Sequence, residues 1–282
     1  MLFPQNMGSH LSMDETSLSR GELYTIITNK ASKGRKGALV AMIKGTVSSN
    51  VISVLEGISD ELRNEVEEIT IDLAPTMELI AKRSFPSATI VSDRFHVQKL
   101  ASDAVQELRI KYRWEAIDQE NAERQLAKET DQIFKANILE NGDTHKQLLA
   151  RSRYLLFKRT EKWTPTQRHR AELLFKYYPD IERAYKLSRK LSAVFDQRTI
   201  KQIAYKKLAL WYNDVEASGF KSFHTIANTI KSHYNHILNY FNNRSTNAAA
   251  ESFNAKVKAL RRQFRGVVNV EFFLYRLTMI YA

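Results

Sequence analysis

The 282-residue chain contains no cysteine. Disulfides, thiol catalysis and cysteine-ligated zinc are therefore excluded within it, and a reducing compartment fits. No apolar run approaches the ~20 residues of a membrane span. The opening MLFPQNMGSH has no basic region followed by an apolar block, so no export signal is visible. The closing NVEFFLYRLTMIYA is interrupted by Glu271 and Arg276 and reads as a core-packing terminal helix. Acid is in deficit: 43 Lys and Arg face 31 Asp and Glu, a net +12. The imbalance is uneven, with residues 1–92 at net −2 and residues 93–282 at net +14. A soluble, intracellular protein with an anionic partner is the expectation, and hydrophobic content of 43% is enough for a core.

What is present divides by texture. Residues 10–92 read as α/β. HLSMDETSL, ELYTIITN (22–29) and GALVAMIKGT (37–46) are strand candidates in antiparallel succession, the last two joined by the basic turn KASKGRKG. SSNVISVLEGI (48–58) is a helix, EEITIDLA (67–74) a strand, PTMELIAKRSF (75–85) a helix opened by proline, and ATIVSD (88–93) a strand. A mixed sheet covered by helices follows. From Asp93 there is no Pro or Gly for over 40 residues, and apolar positions recur at helical spacing. Further helices are expected at HKQLLARSRYLLFKR, TQRHRAELLFKYY, IERAYKLSRKLSAVF, TIKQIAYKKLALWYNDV and FHTIANTIKSHYNHILNYF. The fold class is thus α/β plus all-α.

Acids stand where the strands end: Asp14 in LSMD, Asp72 in EITID and Asp93 in ATIVSD. Open α/β sheets place chemistry at such edges, although a soluble strand also meets its loop there. Downstream, RSTNAAAESFNAKVKALRRQFR reads as a helix capped by Asn247. One stripe is apolar (Ala250, Phe253, Val257, Leu260, Phe264). The opposite stripe carries Glu251, Asn254, Lys258, Arg262 and Arg265, widened by Lys256 and Arg261. Converging carboxylates repel one another, and divalent cations remove that cost. Two ions ~3.5–4 Å apart can flank a scissile phosphate, and Mg²⁺ prefers oxygen ligands.

Four segments in this order, SMDET, TIDLA, SDRFHV and STNAAAESFNAKVKALRR, resemble the catalytic region of bacterial insertion-sequence transposases. The subgroup is the ISL-type of the DDE superfamily, which carries a D-x-x-H motif, and the likeness runs from about Ser12 to the C-terminus. The resemblance implies an RNase H-like mixed sheet with a long helical insertion between the fifth strand and the Glu-bearing helix. The expected organisation is a first core part at 1–95, the insertion at 96–243 and closing core helices at 244–282. It implies Asp14, Asp72 and Glu251 as the catalytic, metal-holding acids, with Mg²⁺ or Mn²⁺ as two ions. Asp93 and His96 match D-x-x-H, as orienting or DNA-contacting residues. The competing triad is Asp72, Asp93 and Glu251. Asn254, Lys256, Lys258, Arg261, Arg262 and Arg265 are the expected DNA-binding residues.

Ala248 and Ser252 stand where the family commonly has glycine. The implied activity is metal-dependent DNA cleavage and strand transfer. The alternatives are a non-catalytic DNA-binding relic and an RNase H-like nuclease that does not transpose. Implied partners are double-stranded DNA at element ends and target, a second copy in a synaptic dimer, and a separate N-terminal DNA-binding polypeptide. This last expectation arises because zinc-knuckle and helix-turn-helix modules precede the catalytic domain in the family. A cytoplasmic, nucleoid-associated location is expected.

The remaining candidates read as structural. His145, His169, His224, His233 and His236 suit surface or helix contacts, and His233 with His236 is not at a convincing metal spacing. Trp114, Trp163 and Trp211 fall in apolar stripes and read as core, with base stacking as the minor alternative. Lys30, Lys33, Arg35 and Lys36 suit either phosphate contact or a solvated turn.

Overall fold

The structure, a computed structural model, describes residues 1–18 and 21–282. Strands β1 (His10–Ser17), β2 (Leu23–Asn29) and β3 (Leu39–Lys44) form an antiparallel meander. After helices α1 (Ser48–Leu55) and α2 (Asp60–Asn64), strand β4 (Glu68–Ile71) adds parallel to β1. Helix α3 (Pro75–Ser84) then leads to β5 (Thr89–Ser92), parallel to β4. The sheet order is β3-β2-β1-β4-β5. β-Branched residues and the absence of internal glycine suit these strands to a doubly covered sheet.

Both faces are packed. Leu11, Met13, Ile27, Val40, Ile69 and Ile71 bury against Val51 and Leu55 of α1 and Met77, Ile80 and Ala81 of α3. On the other face Tyr24, Ile26, Leu39 and Met42 meet Phe253 and Val257 of α11 (Ala248–Gln263) and Phe273 and Leu277 of α12 (Val270–Tyr281). α12 buries that one stripe and leaves Phe272, Tyr275 and Met279 exposed, so it packs on one side only. Helix α10 (Tyr234–Asn243) lies on β5, tied by Asn239 Nδ2 donating to the Ile90 carbonyl at 2.9 Å.

Two compact units result. One holds residues 1–97 and 232–282 and the other residues 98–231. The second unit contains most of α4 (Arg94–Glu129), then α5 (His145–Arg151), α6 (Pro165–Tyr177), α7 (Pro179–Asp196), α8 (Lys201–Ser218) and most of α9 (Lys221–Ser232). Local chemistry sets several of their ends. Thr164 and Gln167 form a capping box before α6, Pro179 opens α7, and Gly219 closes α8 at φ 71°.

The structure departs from the sequence reading in several places. The stretch FHTIANTIKSHYNHILNYF is two helices, broken at His233 (φ −106°, ψ 21°). Because α10 joins the sheet-bearing unit, the helical unit ends a helix earlier than expected. HKQLLARSRYLLFKR stops being α-helical at Arg151 and continues as turns of 3₁₀ helix. Trp211 is buried and donates to the Leu187 carbonyl, but Trp114 is 60% exposed on α4. Lys30 is not a phosphate contact. Its half-buried ammonium forms an ion pair with Glu68 (3.0 Å) and also donates to Thr70. No helix among the described residues is long and apolar enough to cross a membrane.

Candidate active site at the C-terminal edge of the parallel strands

The topology brings the acids of three adjacent strands to one region. Asp14 lies on β1, Asp72 follows β4 and Asp93 follows β5. β4 and β5 are parallel to β1, so each chain passes its acid to the same end of the sheet. α11 then crosses over β1 and β2, and one of its faces lies along these acids.

That face is polar at every turn. Asn247, the N-cap, is completely buried; its Nδ2 donates to the Met13 carbonyl (3.1 Å) and to Asp72 Oδ1 (3.2 Å). A turn later comes Glu251, exposed, with its carboxyl under the influence of Asp93, His96 and Asp14. A further turn on, Asn254 donates from Nδ2 to Asp14 Oδ2 at 2.5 Å and to the Glu15 carbonyl at 3.3 Å. The spacing i, i+4, i+7 makes these three residues one side of the helix. Asn254 was expected to hold a DNA backbone. The structure corrects this: Asn254 is buried and its amide is occupied in orienting Asp14. The Oδ1 atoms of Asn247 and Asn254 are buried and have no hydrogen-bond partner among the described residues.

Asp93 and His96 form the second layer. Asp93 is 1% exposed, and its Oδ1 accepts from the Phe95 amide at 3.1 Å. His96 Nδ1 lies 3.1 Å from Asp72 Oδ1 and 3.8 Å from Asp93 Oδ2. Neither approach meets strict hydrogen-bond geometry, but each brings the ring within reach of a carboxylate that favours its protonated form. The Asp93 carboxylate, ahead of the charges on Asp72 and Asp14, raises the His96 pKa against the effect of burial.

The electrostatics are those of acids withdrawn from solvent, with neighbouring carboxylates adding to the effect. Burial raises the Asp72 pKa to about 6; Asp14 and Asp93 add to the rise, while His96 and the Asn247 amide oppose it. Asp14 and Glu251 are also raised, each first by burial. Among the described residues no Lys or Arg forms an ion pair with Asp14, Asp72 or Glu251. These three do not form a set with all ligand atoms within 4.8 Å of one another. They are electrostatically coupled without converging on a single point.

Beyond Asn254 the same helix face becomes basic. Lys258, Arg261, Arg262 and Arg265 line a groove with Glu15, Thr16 and Ser17. Lys256 turns aside. Its ammonium donates to the Gly34 carbonyl at 2.6 Å and sits over the Tyr281 ring.

One constellation runs against the sequence reading, which took the spacing of His233 and His236 as unconvincing for a metal. Glu78 on α3 meets His233 and His236 at the start of α10, with ligand atoms all within 4.8 Å of one another. In sequence the histidines are far from Glu78, and nothing local signals the approach.

A 3-2-1-4-5 mixed sheet, Asp72 and Asp93 just past β4 and β5, Asp14 within β1 rather than at its end as the sequence suggested, and a late helix bearing a glutamate define an RNase H-like fold with a helical insertion between β5 and α11. The chain belongs to the ISL3-type transposase family of the DDE superfamily: residues 11–277 match its family model, described as a transposase. Comparisons with curated proteins and with solved structures each gave no significant match.

Proposed function

We propose that this transposase cuts DNA at the ends of an insertion sequence and joins the freed ends to a target by metal-dependent phosphoryl transfer. The observation that carries the proposal is the polar face of α11, which places Asn247 on Asp72, Asn254 on Asp14 and Glu251 between them in sequence. A merely solvated helix face would not bury two amides against two acids.

Asp14, Asp72 and Glu251 would hold the divalent ions. The donor set fits a hard cation: it is all oxygen, it lacks Lys or Arg ion pairs, and burial makes its negative charge costly. The all-oxygen set would suit Mg²⁺ or Mn²⁺, taken up as two ions. When bound, the ions would lower the barrier by neutralising charge on the attacking and leaving oxygens.

The protein's own residues do the rest. Asn254 and Asn247 fix the acid rotamers. His96, held between Asp93 and Asp72, sits where both carboxylates favour its protonated form. Asp93 has its Oδ1 taken by the Phe95 amide, which favours Asp14 as the first acid and gives Asp93 a positioning role. Lys258, Arg261, Arg262 and Arg265 would hold the phosphate backbone along the groove. In cleavage, a water oxygen bonds to phosphorus as the bond to the 3′-oxygen breaks. The 3′-OH so released then attacks a target phosphate in line and displaces another 3′-oxygen. No covalent protein–DNA intermediate is required. Two chains, one for each end, would form the synaptic complex.

Alanine at Asp14, Asp72 or Glu251 should each lower Mg²⁺-dependent cleavage by ~10³ or more, since several kcal/mol of stabilisation are lost and ~1.4 kcal/mol is tenfold. Circular dichroism should remain native. If Asp93→Ala abolishes cleavage and Asp14→Ala does not, the first acid is misassigned. Cleavage without strand transfer of a pre-cut end would instead describe a nuclease.

A further inference from the structure

The cluster of Glu78, His233 and His236 lies outside the carboxylate site, and nothing in the proposed chemistry uses it. Two elements build it. α3 presents Glu78 in its first turn, and the break between α9 and α10 places His233 at the N-cap with His236 one turn on. The i, i+3 spacing sets both imidazoles on one side of α10. His233 Nδ1 lies 3.0 Å and His236 Nδ1 3.6 Å from the same carboxylate oxygen, Glu78 Oε2. The other oxygen, Oε1, accepts from Lys82 at 2.5 Å. The side chains of His233, His236 and Glu78 are 13%, 18% and 20% exposed, sheltered yet open to an entering ion.

These distances suit a small ion. Zinc bonds of ~2.0–2.1 Å at a tetrahedral angle separate adjacent ligand atoms by about 3.3 Å. The two separations from Oε2 fall on either side of that figure. The donor chemistry selects the metal class, because two imidazoles and one carboxylate suit zinc and its first-row neighbours, whereas Mg²⁺ prefers oxygen. Three protein ligands leave the fourth position for water. Lys82 on Oε1 would serve as the outer partner that fixes the carboxylate and leaves Oε2 for the ion.

We propose that Glu78, His233 and His236 form a binding site for one zinc-class divalent ion, separate from the catalytic acids, which pins the first turn of α10 to α3. The site lies wholly in the sheet-bearing unit, just after the chain re-enters it at Ser232. It would hold in place the helix that buries the β5 edge. It does not depend on the assignment of the catalytic triad.

The test uses the full chain, stripped with a chelator and then saturated with Mg²⁺. Zn²⁺ is titrated by calorimetry, and Co²⁺ is substituted for its visible tetrahedral bands. One Zn²⁺ equivalent should bind despite excess Mg²⁺ and raise the Tm. His236→Ala and Glu78→Gln should each weaken binding by at least the roughly 10–100-fold that loss of an outer partner costs. Asp72→Asn should leave it unchanged. Should His236→Ala fail to fold, X-ray absorption at the zinc edge of the wild-type chain reads the ligands directly and should show two imidazoles. Failure to bind Zn²⁺, equal binding by His236→Ala, loss in Asp72→Asn, or an all-oxygen edge spectrum would each overturn the site.

Discussion

At the scale of single residues, Asp72 carries the clearest consequence. Its pKa of about 6 lies above the ordinary carboxyl value because burial, and then Asp14 and Asp93, disfavour its charge. The folded state therefore binds this proton more tightly than the unfolded chain does. Below about pH 4 both states are protonated and the effect vanishes. As pH rises from about 4 to about 6 the unfolded state ionises first, and stability falls. The loss is about 2 kcal/mol, allowing for screening by the solvent that the half-buried carboxyl meets. Metal-free Asp72→Asn should accordingly be more stable than wild type at pH 7 in urea unfolding, with the gap closing toward pH 4. Added Mg²⁺ should stabilise wild type more than Asp72→Asn. A variant less stable than wild type at pH 7 without metal would refute the charge-crowding account.

Among the elements, α11 decides whether the site exists, because its apolar stripe fixes the orientation of its polar one. Phe253 is fully buried against β2, β3 and α12, and the Tyr281 ring meets it edge-on at 5.2 Å between centroids. Phe253→Ala should cost about 3–5 kcal/mol in urea unfolding. It should also lower cleavage more than Val257→Ala, since Phe253 lies between Glu251 and Asn254. The basic end of the same helix predicts a different signature. Lys258→Ala and Arg262→Ala should weaken DNA binding on all sequences alike, each reducing the slope of log affinity against log salt by about 1. Weakening on one sequence alone would mean that these side chains read bases.

For the whole molecule, charge is the organising quantity. Net +14 over residues 93–282 neutralises phosphates but carries no sequence information. This chain should therefore bind an element-end duplex and a scrambled one within about tenfold of each other, with non-specific affinities of ~10⁻⁴–10⁻⁶ M at physiological salt. Competition binding measures the ratio. A hundredfold preference for the end would locate base readout in the chain, with the helical unit as its place. Light scattering of the complex with paired ends should give two chains, and a single chain per pair would rule out a synaptic dimer.

The sequence by itself determined the elements and much of the site. Alternation and glycine punctuation marked the strands of residues 10–92, and Asp72 and Asp93 could be read as a pair because parallel neighbours β4 and β5 end at the same edge, whereas β1 runs three residues past Asp14. The spacing of Asn247, Glu251, Asn254 and Lys258 showed one polar helix face, since helical periodicity is a local property. Its orientation was not local: that face lies on the acids only because Phe253 and Val257 bury against β2 and β3. Tertiary packing alone therefore decided that Asn254 holds Asp14 rather than DNA, and that Lys256 binds the Gly34 turn. It also decided that Lys30 pairs with buried Glu68 and that Trp114 stays in solvent. The meeting of Glu78 with His233 and His236 is the extreme case. The partners lie 155 residues apart in the chain. They touch because α10 returns to cover β5, and no pattern within either segment encodes a contact that depends on the whole helical unit folding between them.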